Sequence, residues 1–595
     1  MDRYTVSEPA VIFALHSLRK VGLIFATAIL LLGCGGGGSG GGSVTTAVTA
    51  PTPAPTPAAV LAAPAGIIAA PGDGLISLSF PALAGALDYT ATCVGNGAAV
   101  TATNTASPTA VLNLTNGTAY SCTVTARNSA GSSPASAPVT ATPSGTGGSG
   151  AFRGTFLLGS PTNAAVKLNI YAADQSGQVY AAYGNTPGAY PRQTTVSTLS
   201  AGTPLELSLD GLSANTRYYY RLYFTPTAGG AASPSAEFSF QTPRAAGASF
   251  VFDIQGDSHP EREKTEFNGE LYTRTLTMAA ADNPDFYMTS GDDFSVDTLD
   301  PVTISAAAVA NRYAIQRPYL GIVGRKAPVF LVNGNHEQAA RYLLNGTPNN
   351  VAVWAQNARN SFYSEPAPNE FYTGNTEIVP FIGQLRNYYA WTWGDALFVV
   401  IDPYWSSPVP VDNVFGGTAK TSRDWDVTHG DVQYQWLKDT LEKSKAKYKF
   451  VFAHHVLGTG RGGVEVAKLW EWGGLNANGT SGFAVQRPTW AMPIHQLMVA
   501  NRVTIFFQGH DHIWVHQMLD GVTYQTLPEP ANPFYALLNS EAYVTGDKFP
   551  TSGYTRISVS PANVKVEYVR SYLPADEAAG KKSGEVAFSY VVNAP

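Results

Sequence analysis

In two segments between about residues 66 and 245 the apolar and polar positions alternate. From about 66 to 143 they do so in short runs broken by glycine, proline and asparagine, which predicts β-strands joined by tight turns. A second segment of the same character covers 151–245, with "LELSLDGLSANTRYYYRLYF" and "AEFSFQTPR" as its most regular stretches. From 246 onward the pattern changes, and short apolar runs alternate with stretches of helical spacing. In "DVQYQWLKDTLEKSKAK" (431–447) an apolar stripe ends in lysines, as expected near a helix C-terminus. That alternation predicts an α/β domain over 246–595.

The segments between and before these units read as tethers. Arg19 and Lys20 precede "VGLIFATAILLLG", an apolar run suited to the core of an export signal, which ends at Cys34. "GGGGSGGGS" and then "TAPTPAPTPAA" follow, a flexible coil and an extended proline-rich spacer. The chain therefore divides into a signal (1–34), a Gly/Pro-rich linker (35–65), a β-segment (66–143), a linker "SGTGGSG" (144–150), a second β-segment (151–245) and the α/β domain (246–595). The "LLLGC" ending resembles the bacterial lipoprotein signal. This resemblance implies lipidation of Cys34 and an exported protein of the bacterial cell envelope, in the periplasm or at the cell surface; a plain secretory signal cleaved nearby would give a secreted protein. No apolar run reaches about 20 residues, so membrane contact is expected only through a lipid anchor at Cys34.

Composition narrows the functions. Hydrophobic residues make up 44% of the chain, enough for sizeable cores, while charged residues are only 13% and the net charge is −6. A basic face for specific nucleic-acid binding is not expected. Cys93 and Cys122 lie in strand-like stretches ("DYTATCVG", "AYSCTVTA") and, in an exported protein, are expected to pair. With Cys34 lipidated, no cysteine is left to act as a nucleophile. None of the ten histidines lies between His16 and His259. The two β-segments thus have little means of metal or acid–base chemistry and read as spacer and packing modules.

The chemistry lies at strand ends. "SFVFDIQGDSH" ends in Asp257 and His259, "DFYMTSGDD" in Asp292, "APVFLVNGNHE" in Asn335 and His336, "KYKFVFAHH" in His454 and His455, and "RVTIFFQGHDH" in His510 and His512. Ligands of open α/β sheets bind beyond the carboxyl ends of strands, so five such tips point to one site. Glycines 256, 291, 334 and 509 permit sharp exits and close backbone approach. If the backbone stays extended through D-x-H and H-x-H, both members of each pair face the same side. Aspartate, histidine and asparagine without cysteine suit iron, manganese or zinc. Seven ligand candidates exceed the needs of one ion and suit two, which together can acidify a bridging water and clamp the attacking and leaving oxygens of a phosphoryl displacement.

The ordered set "GDSH…GDD…GNHE…AHH…GHDH" resembles the calcineurin-like metallophosphoesterase superfamily over roughly 249–570. The 151–245 segment resembles the β-sandwich that precedes the catalytic domain of purple acid phosphatases, and "NGTAYSCTVTARNSAGSSPASAPVTATP" resembles the last strands of a fibronectin type III domain. The resemblance implies two N-terminal β-sandwiches followed by an α/β metallophosphoesterase domain built as a sandwich of mixed sheets flanked by helices. It implies that Asp257, His259 and His512 hold a first metal, that Asp292 bridges, and that Asn335, His454 and His510 hold a second. His336 then sits by the phosphate without binding metal and assists the leaving group. The fourth motif carries Val456 where proline is usual, which leaves His454 or His455 as the ligand; His454 is taken here, with His455 as a substrate contact.

The chain also departs from the family's subgroups. Ser295 stands where purple acid phosphatases carry a tyrosine, so their charge-transfer colour is not expected. The Asp-Arg-Gly that phosphoprotein phosphatases carry after the second motif is missing. Asp293 and Glu337 are expected to support the site, Asp402, His429, His495 and His516 to be structural. The aromatics of 353–393 either wall the pocket or pack in an inserted loop. The resulting expectation is an exported hydrolase of phosphomonoesters or phosphodiesters with a small-molecule phosphoester as its partner. The alternative is a surface-tethered binding or adhesion protein with a degenerate phosphoesterase domain.

Overall fold

The computed structural model describes residues 59–594 apart from 73–74, 105–106, 112–113, 116, 144–150, 228, 413, 417–423 and 458–459. The export signal, Cys34, the linker up to residue 58 and the 144–150 linker lie outside the described residues. From Val60 onward the chain forms one compact unit.

The first β-segment is a two-sheet sandwich. Ile68–Gly72, Leu75–Ser79 and Thr109–Val111 form one sheet, and Asp88–Gly95, Ala98–Asn104 and Tyr120–Asn128 carry the other. The alternation read from the sequence sends Ile76, Leu78, Tyr89, Ala91, Val111 and Val124 inward. Cys93 and Cys122 face each other on neighbouring antiparallel strands and form a disulfide.

The second β-segment repeats the plan. Thr155–Gly159, Ala165–Tyr171 and Leu205–Asp210 pack over a sheet centred on Gly177–Gly184 and Arg217–Pro226. Leu168, Ile170, Val179, Tyr220, Leu222 and Phe240 fill the space between.

The α/β domain has two sheets face to face. In chain order its strands are β1 (Phe250–Gln255), β2 (Phe286–Thr289), β3 (Val329–Leu331), β4 (Tyr389–Trp393), β5 (Ala396–Val400), β6 (Tyr448–Phe452), β7 (Ile505–Gln508), β8 (Trp514–Leu519), β9 (Val522–Thr526), β10 (Asp547–Phe549), β11 (Gly553–Val559), β12 (Asn563–Arg570) and β13 (Val586–Asn593). One sheet runs β3-β2-β1-β11-β12-β13, with β1, β2 and β3 parallel. The other runs β4-β5-β6-β7-β9-β8-β10, with β5, β6, β7 and β9 parallel, and Thr373–Gly374 adds a short strand beyond β4. Phe252, Phe286 and Phe330 of the first sheet meet Trp391, Phe398, Phe450, Phe452 and Phe507 of the second, so these strands read as continuous apolar runs.

Helices cover both outer faces. On the first sheet lie α1 (Gly269–Ala281), α2 (Ala306–Gly324) and α3 (Val351–Phe362); on the second lie α4 (Gly430–Lys443) and α5 (Ile494–Ala500). Asn268 and Ser305 cap α1 and α2 by accepting from the backbone N–H groups of Leu271 and Ala308. Helix α4 buries Tyr434, Leu437 and Leu441, the stripe expected from the sequence, and ends at Lys443, short of the last two lysines of that stretch. Among the described residues no helix is long and apolar enough to cross a membrane.

Arg317 of α2 ties the second sandwich to this domain. It is fully buried; its guanidinium donates to Thr155 Oγ1 (2.9 Å), Asn169 Oδ1 (2.9 Å) and Asn169 O (3.0 Å), and packs against the rings of Tyr171 and Tyr363.

Candidate active site

All five polar tips follow the C-terminal ends of parallel strands and gather at one edge of the double sheet. The tips after β1, β2 and β3 bring Asp257 and His259, Asp292, and Asn335 and His336. Those after β6 and β7 bring His454 and His455, and His510 and His512. Glycine is needed where the tips meet. A Cβ on Gly334 would lie 2.2 Å from Asp292 Oδ1, and one on Gly509 would lie 2.4 Å from Asp257 Oδ1.

The convergence does not come from extended backbone. His259, Asp292, His510 and His512 all have left-handed φ, at 43°, 58°, 67° and 59°. The members of D-x-H and H-x-H are therefore aimed by turns, and strand alternation is the wrong reason for their meeting. Left-handed backbone at four non-glycine residues costs energy and persists only where the surroundings enforce it, which is common at functional sites.

The donor atoms fall into overlapping groups. Ligand atoms of Asp257, His259 and His512 lie within 4.8 Å of one another, as do those of Asp257, Asp292 and His454, those of His259, Asp292 and His336, and those of His454, His455 and His510. Asp257 and Asp292 are shared between groups. His512 Nε2 is 3.2 Å from Asp257 Oδ2, His454 Nε2 is 2.9 Å from Asp292 Oδ2, and His510 Nδ1 is 3.2 Å from His454 Nε2. Asn335 is buried in the same region. His454 faces the shared carboxylates, whereas His455 stacks on His510 with ring centroids 4.6 Å apart and turns Nδ1 toward Tyr404 Oη at 3.3 Å.

The backs of the imidazoles are held. His454 Nδ1 donates to Ser290 O (2.9 Å), His512 Nδ1 lies 2.9 Å from Glu529 Oε1, and His510 Nε2 lies 3.3 Å from Asp412 Oδ2. His259 Nδ1 faces Ser295 Oγ at 3.0 Å and Glu261 Oε1 at 3.4 Å. Partners of this kind fix the orientation of metal-ligating imidazoles. Asp293 accepts from Ser258 Oγ and Gln255 Nε2, and Glu337 accepts from the backbone N–H groups of Asp293 and Gly334 (both 2.8 Å). Both acidic residues thus support the loops, as expected.

The site has buried acceptors that no group outside the cluster satisfies. Asp257 Oδ2, His259 Nε2 and Asp292 Oδ2 are shielded from solvent and accept no well-aligned hydrogen bond; the nearest donors to the two carboxylate oxygens are imidazoles of the cluster itself, His512 Nε2 at 3.2 Å and His454 Nε2 at 2.9 Å. Such groups are costly unless something binds them. The electrostatics agree. Burial disfavours charge on His454, yet Asp292 and Asp257 overcome it and lift its pKa to about 10. Burial likewise opposes charge on His512, and Glu529 and Asp257 hold its pKa well above the usual range. The carboxylates draw protons onto the neighbouring imidazoles. Divalent or trivalent cations fit this donor set.

His336 is distinct. It is partly exposed, its Nδ1 lies 2.7 Å from Asp297 Oδ2, and its Nε2 lies 3.7 Å from Asp292 Oδ2. Burial disfavours its charge, but Asp292 and Asp297 outweigh that and raise its pKa to about 9.

The remaining candidates lie elsewhere. His516 pairs with Asp547 on β8 and β10, His429 with Glu471, and His495 with Tyr524 and Asp520. Asp402 accepts from the N–H groups of Tyr404 and Trp405. The aromatics of 353–393 do not wall the site: Tyr389, Trp391 and Trp393 fill the core between the sheets, and Phe362 and Tyr363 pack with the helices. Sequence reading missed Glu529, Asp412, Asp297, Glu261 and Arg262, which arrive on loops without a repeating spacing.

Comparison with known proteins follows this geometry. Residues 250–514 match the family model of the calcineurin-like phosphoesterases. No curated protein matches the chain in sequence. Among solved structures, a purple acid phosphatase, PPD1, from yellow lupin (Lupinus luteus) seeds is 13% identical with a TM-score of 0.51, covering 89% of this chain and 95% of its own. PhoD is 15% identical with a TM-score of 0.51, covering 74% of this chain and 90% of its own. At these identities the likeness concerns the fold. The matched segment, the two-sheet core and the ordered strand tips agree: residues 250–514 match a calcineurin-like phosphoesterase domain.

Proposed function

We propose that this protein is a binuclear-metal-dependent phosphoesterase that hydrolyses phosphomonoesters, phosphodiesters or both. The observation that carries the reading is the buried cluster itself, in which ligand atoms of Asp257, His259, Asp292, His454, His510 and His512 crowd within 4.8 Å of one another in overlapping groups, at positions the motif set requires. A degenerate domain serving only adhesion would not be expected to keep all of them. Asp257, His259 and His512 would hold one ion, Asn335, His454 and His510 the other, with Asp292 between them. Such a pair of ions supplies Lewis-acid stabilisation of charge on phosphorus-bound oxygens and lowers the pKa of water.

The chain's own residues do the rest. Glu529, Asp412, Glu261 and the Ser290 carbonyl keep the imidazoles turned inward. His336, charged through Asp297 and Asp292, is a proton donor at the edge of the cluster. In hydrolysis water adds to phosphorus, the bond from phosphorus to the ester oxygen breaks, and His336 gives that oxygen its proton, so that alcohol and phosphate leave. The sequence further supports export and tethering to the cell envelope through Cys34.

The test is elemental analysis of the purified protein, joined to assays with paired aryl phosphomonoesters and phosphodiesters before and after chelation. Two ions per chain, and activity that disappears on chelation and returns with iron, manganese or zinc, are expected. Metal-loaded protein that cleaves neither ester rules the reading out.

A further inference from the structure

One cation lies beside the cluster and has no place in the metal set. Arg262 follows the first motif in the loop after β1, and its backbone is fixed on both sides. Its N–H donates to the His259 carbonyl (2.9 Å), and its own carbonyl accepts from the N–H groups of Thr265, Glu266 and Phe267 (3.1 Å each). The guanidinium is oriented in the same way. Nε lies 3.4 Å from Glu261 Oε1 and Nη1 lies 2.5 Å from Glu266 Oε2. The third nitrogen, Nη2, is aimed at the His336 ring, 3.3 Å from Nδ1 and 3.2 Å from Nε2.

That last contact is a poor use of a donor. Lone pairs in the plane of an imidazole point in diverging directions, so one nitrogen equidistant from both cannot align with either. Nδ1 is also engaged by Asp297. An arginine held through Nη1 by Glu266, with Nε beside Glu261, thus presents Nη2, side-on, next to the residue assigned to the leaving group.

We propose that Arg262 binds a non-bridging oxygen of the substrate phosphate and thereby selects phosphomonoesters over phosphodiesters. The inference rests on the phosphoesterase reading and refines it. Guanidinium is suited to phosphate oxygens because its donors are planar and permanently charged. A phosphomonoester carries nearly two negative charges at neutral pH and keeps three non-bridging oxygens. A diester carries one charge and keeps two. An added cation beside the metals therefore stabilises the monoester more.

The experiment compares wild type, Arg262→Gln and Arg262→Lys as metal-loaded full-length proteins. Metal content, kcat/KM on an aryl phosphomonoester and on its methyl diester, and inhibition by inorganic phosphate are measured. Arg262→Gln is expected to keep both ions, to lose about 10- to 100-fold in kcat/KM on the monoester with a several-fold smaller loss on the diester, and to weaken phosphate inhibition in parallel. Arg262→Lys, which keeps charge but not the fork, should fall between and carries the test if the glutamine variant does not fold. Equal losses on both esters, or unchanged phosphate inhibition, overturn the proposal, because a merely structural arginine moves both substrates alike. Wild type active on both esters with Arg262→Gln unchanged sinks this inference alone; wild type inactive on both removes the phosphoesterase reading and this inference with it.

Discussion

The second β-sandwich and the strand tips of the α/β domain bury polar groups differently. In the sandwich the interior is aliphatic and aromatic, and buried amides have partners. Asn169 donates to Ser361 O and accepts from Arg317, and Gln175 donates to Ala151 O and accepts from the Arg153 N–H. At the strand tips Asp257, His259 and Asp292 are as deeply buried, yet the neighbours of their acceptors are other members of the same ligand cluster and not scaffold donors. An unpaired buried polar group costs about 1–3 kcal/mol. Such groups occur in the scaffold too, at Arg153 Nε and on both carboxylate oxygens of Asp253, but at the strand tips they converge with the imidazoles of His454 and His512 in one cluster.

Replacing the shared carboxylate gives the largest expected effect. Asp292→Ala removes an acceptor common to two donor groups, and it also removes the Oδ1 that accepts from the His336 N–H at 2.8 Å. Both metal content and turnover are expected to fall, turnover by about 10⁴-fold or more, given that such sites supply most of the acceleration. Retention of two ions per chain by elemental analysis would break the distinction drawn above. His336→Ala should behave differently: metal content stays, and kcat drops by about 10²- to 10⁴-fold, the usual contribution of a positioned acid. The loss should shrink for esters whose leaving alcohol is acidic. A uniform loss across leaving groups would contradict the proton-donor role.

The contrast also separates what could be read from the sequence from what could not. The five tips were legible because each follows a run such as "VTIFF" or "PVFLV", where continuous apolar character means a strand buried on both faces. The sandwiches were legible from alternation. The aiming of the site was not. His259, His510 and His512 turn into the left-handed region, which alternation cannot foresee and which lies in the surroundings rather than in the local sequence. Glu529, Asp412 and Asp297 were invisible for a related reason. They reach the imidazoles from loops 17, 98 and 39 residues away from His512, His510 and His336, and no local period links such pairs. Trp391 and Trp393 were ambiguous because an aromatic run looks the same whether it walls a pocket or fills a core.

On the scaffold side, Arg317 gives a smaller effect of a different kind. Its cation has no acidic partner among its hydrogen bonds and is held by Thr155, Asn169 and the Phe362 carbonyl. Arg317→Ala strands those acceptors between the sandwich and α2. A loss of roughly 3 kcal/mol or more is expected in denaturant unfolding. Rate per folded, metal-loaded molecule should be unchanged, because the residue touches nothing at the strand tips. A loss of kcat with stability intact would mean that the sandwich takes part in the chemistry.

The smallest effect sharpens the boundary between the two kinds of burial. Asp402 ends β5 and lies inside the catalytic domain, but it is saturated like the sandwich amides. Its Oδ1 accepts from the N–H groups of Tyr404 (2.6 Å) and Trp405 (3.2 Å), and its Oδ2 accepts from Asn333 Nδ2 (3.2 Å). Burial nonetheless raises its pKa from 3.8 to about 6, with the Trp405 and Tyr404 N–H groups acting against the rise. An acid whose folded pKa is raised binds its proton more tightly in the folded state. Stability from this group is therefore greatest below about pH 4, declines as pH rises from about 4 to about 6, and levels off above. Asp402→Asn keeps an oxygen for the two N–H groups and loses the titration; its amide facing Asn333 adds an offset that does not vary with pH. The difference in unfolding free energy between wild type and variant, measured on metal-free protein, should therefore change by up to roughly 3 kcal/mol across that window, with wild type losing ground as pH rises. A flat difference would show that Asp402 stays ionised throughout, its buried charge held by its three donors and the Arg359 cation.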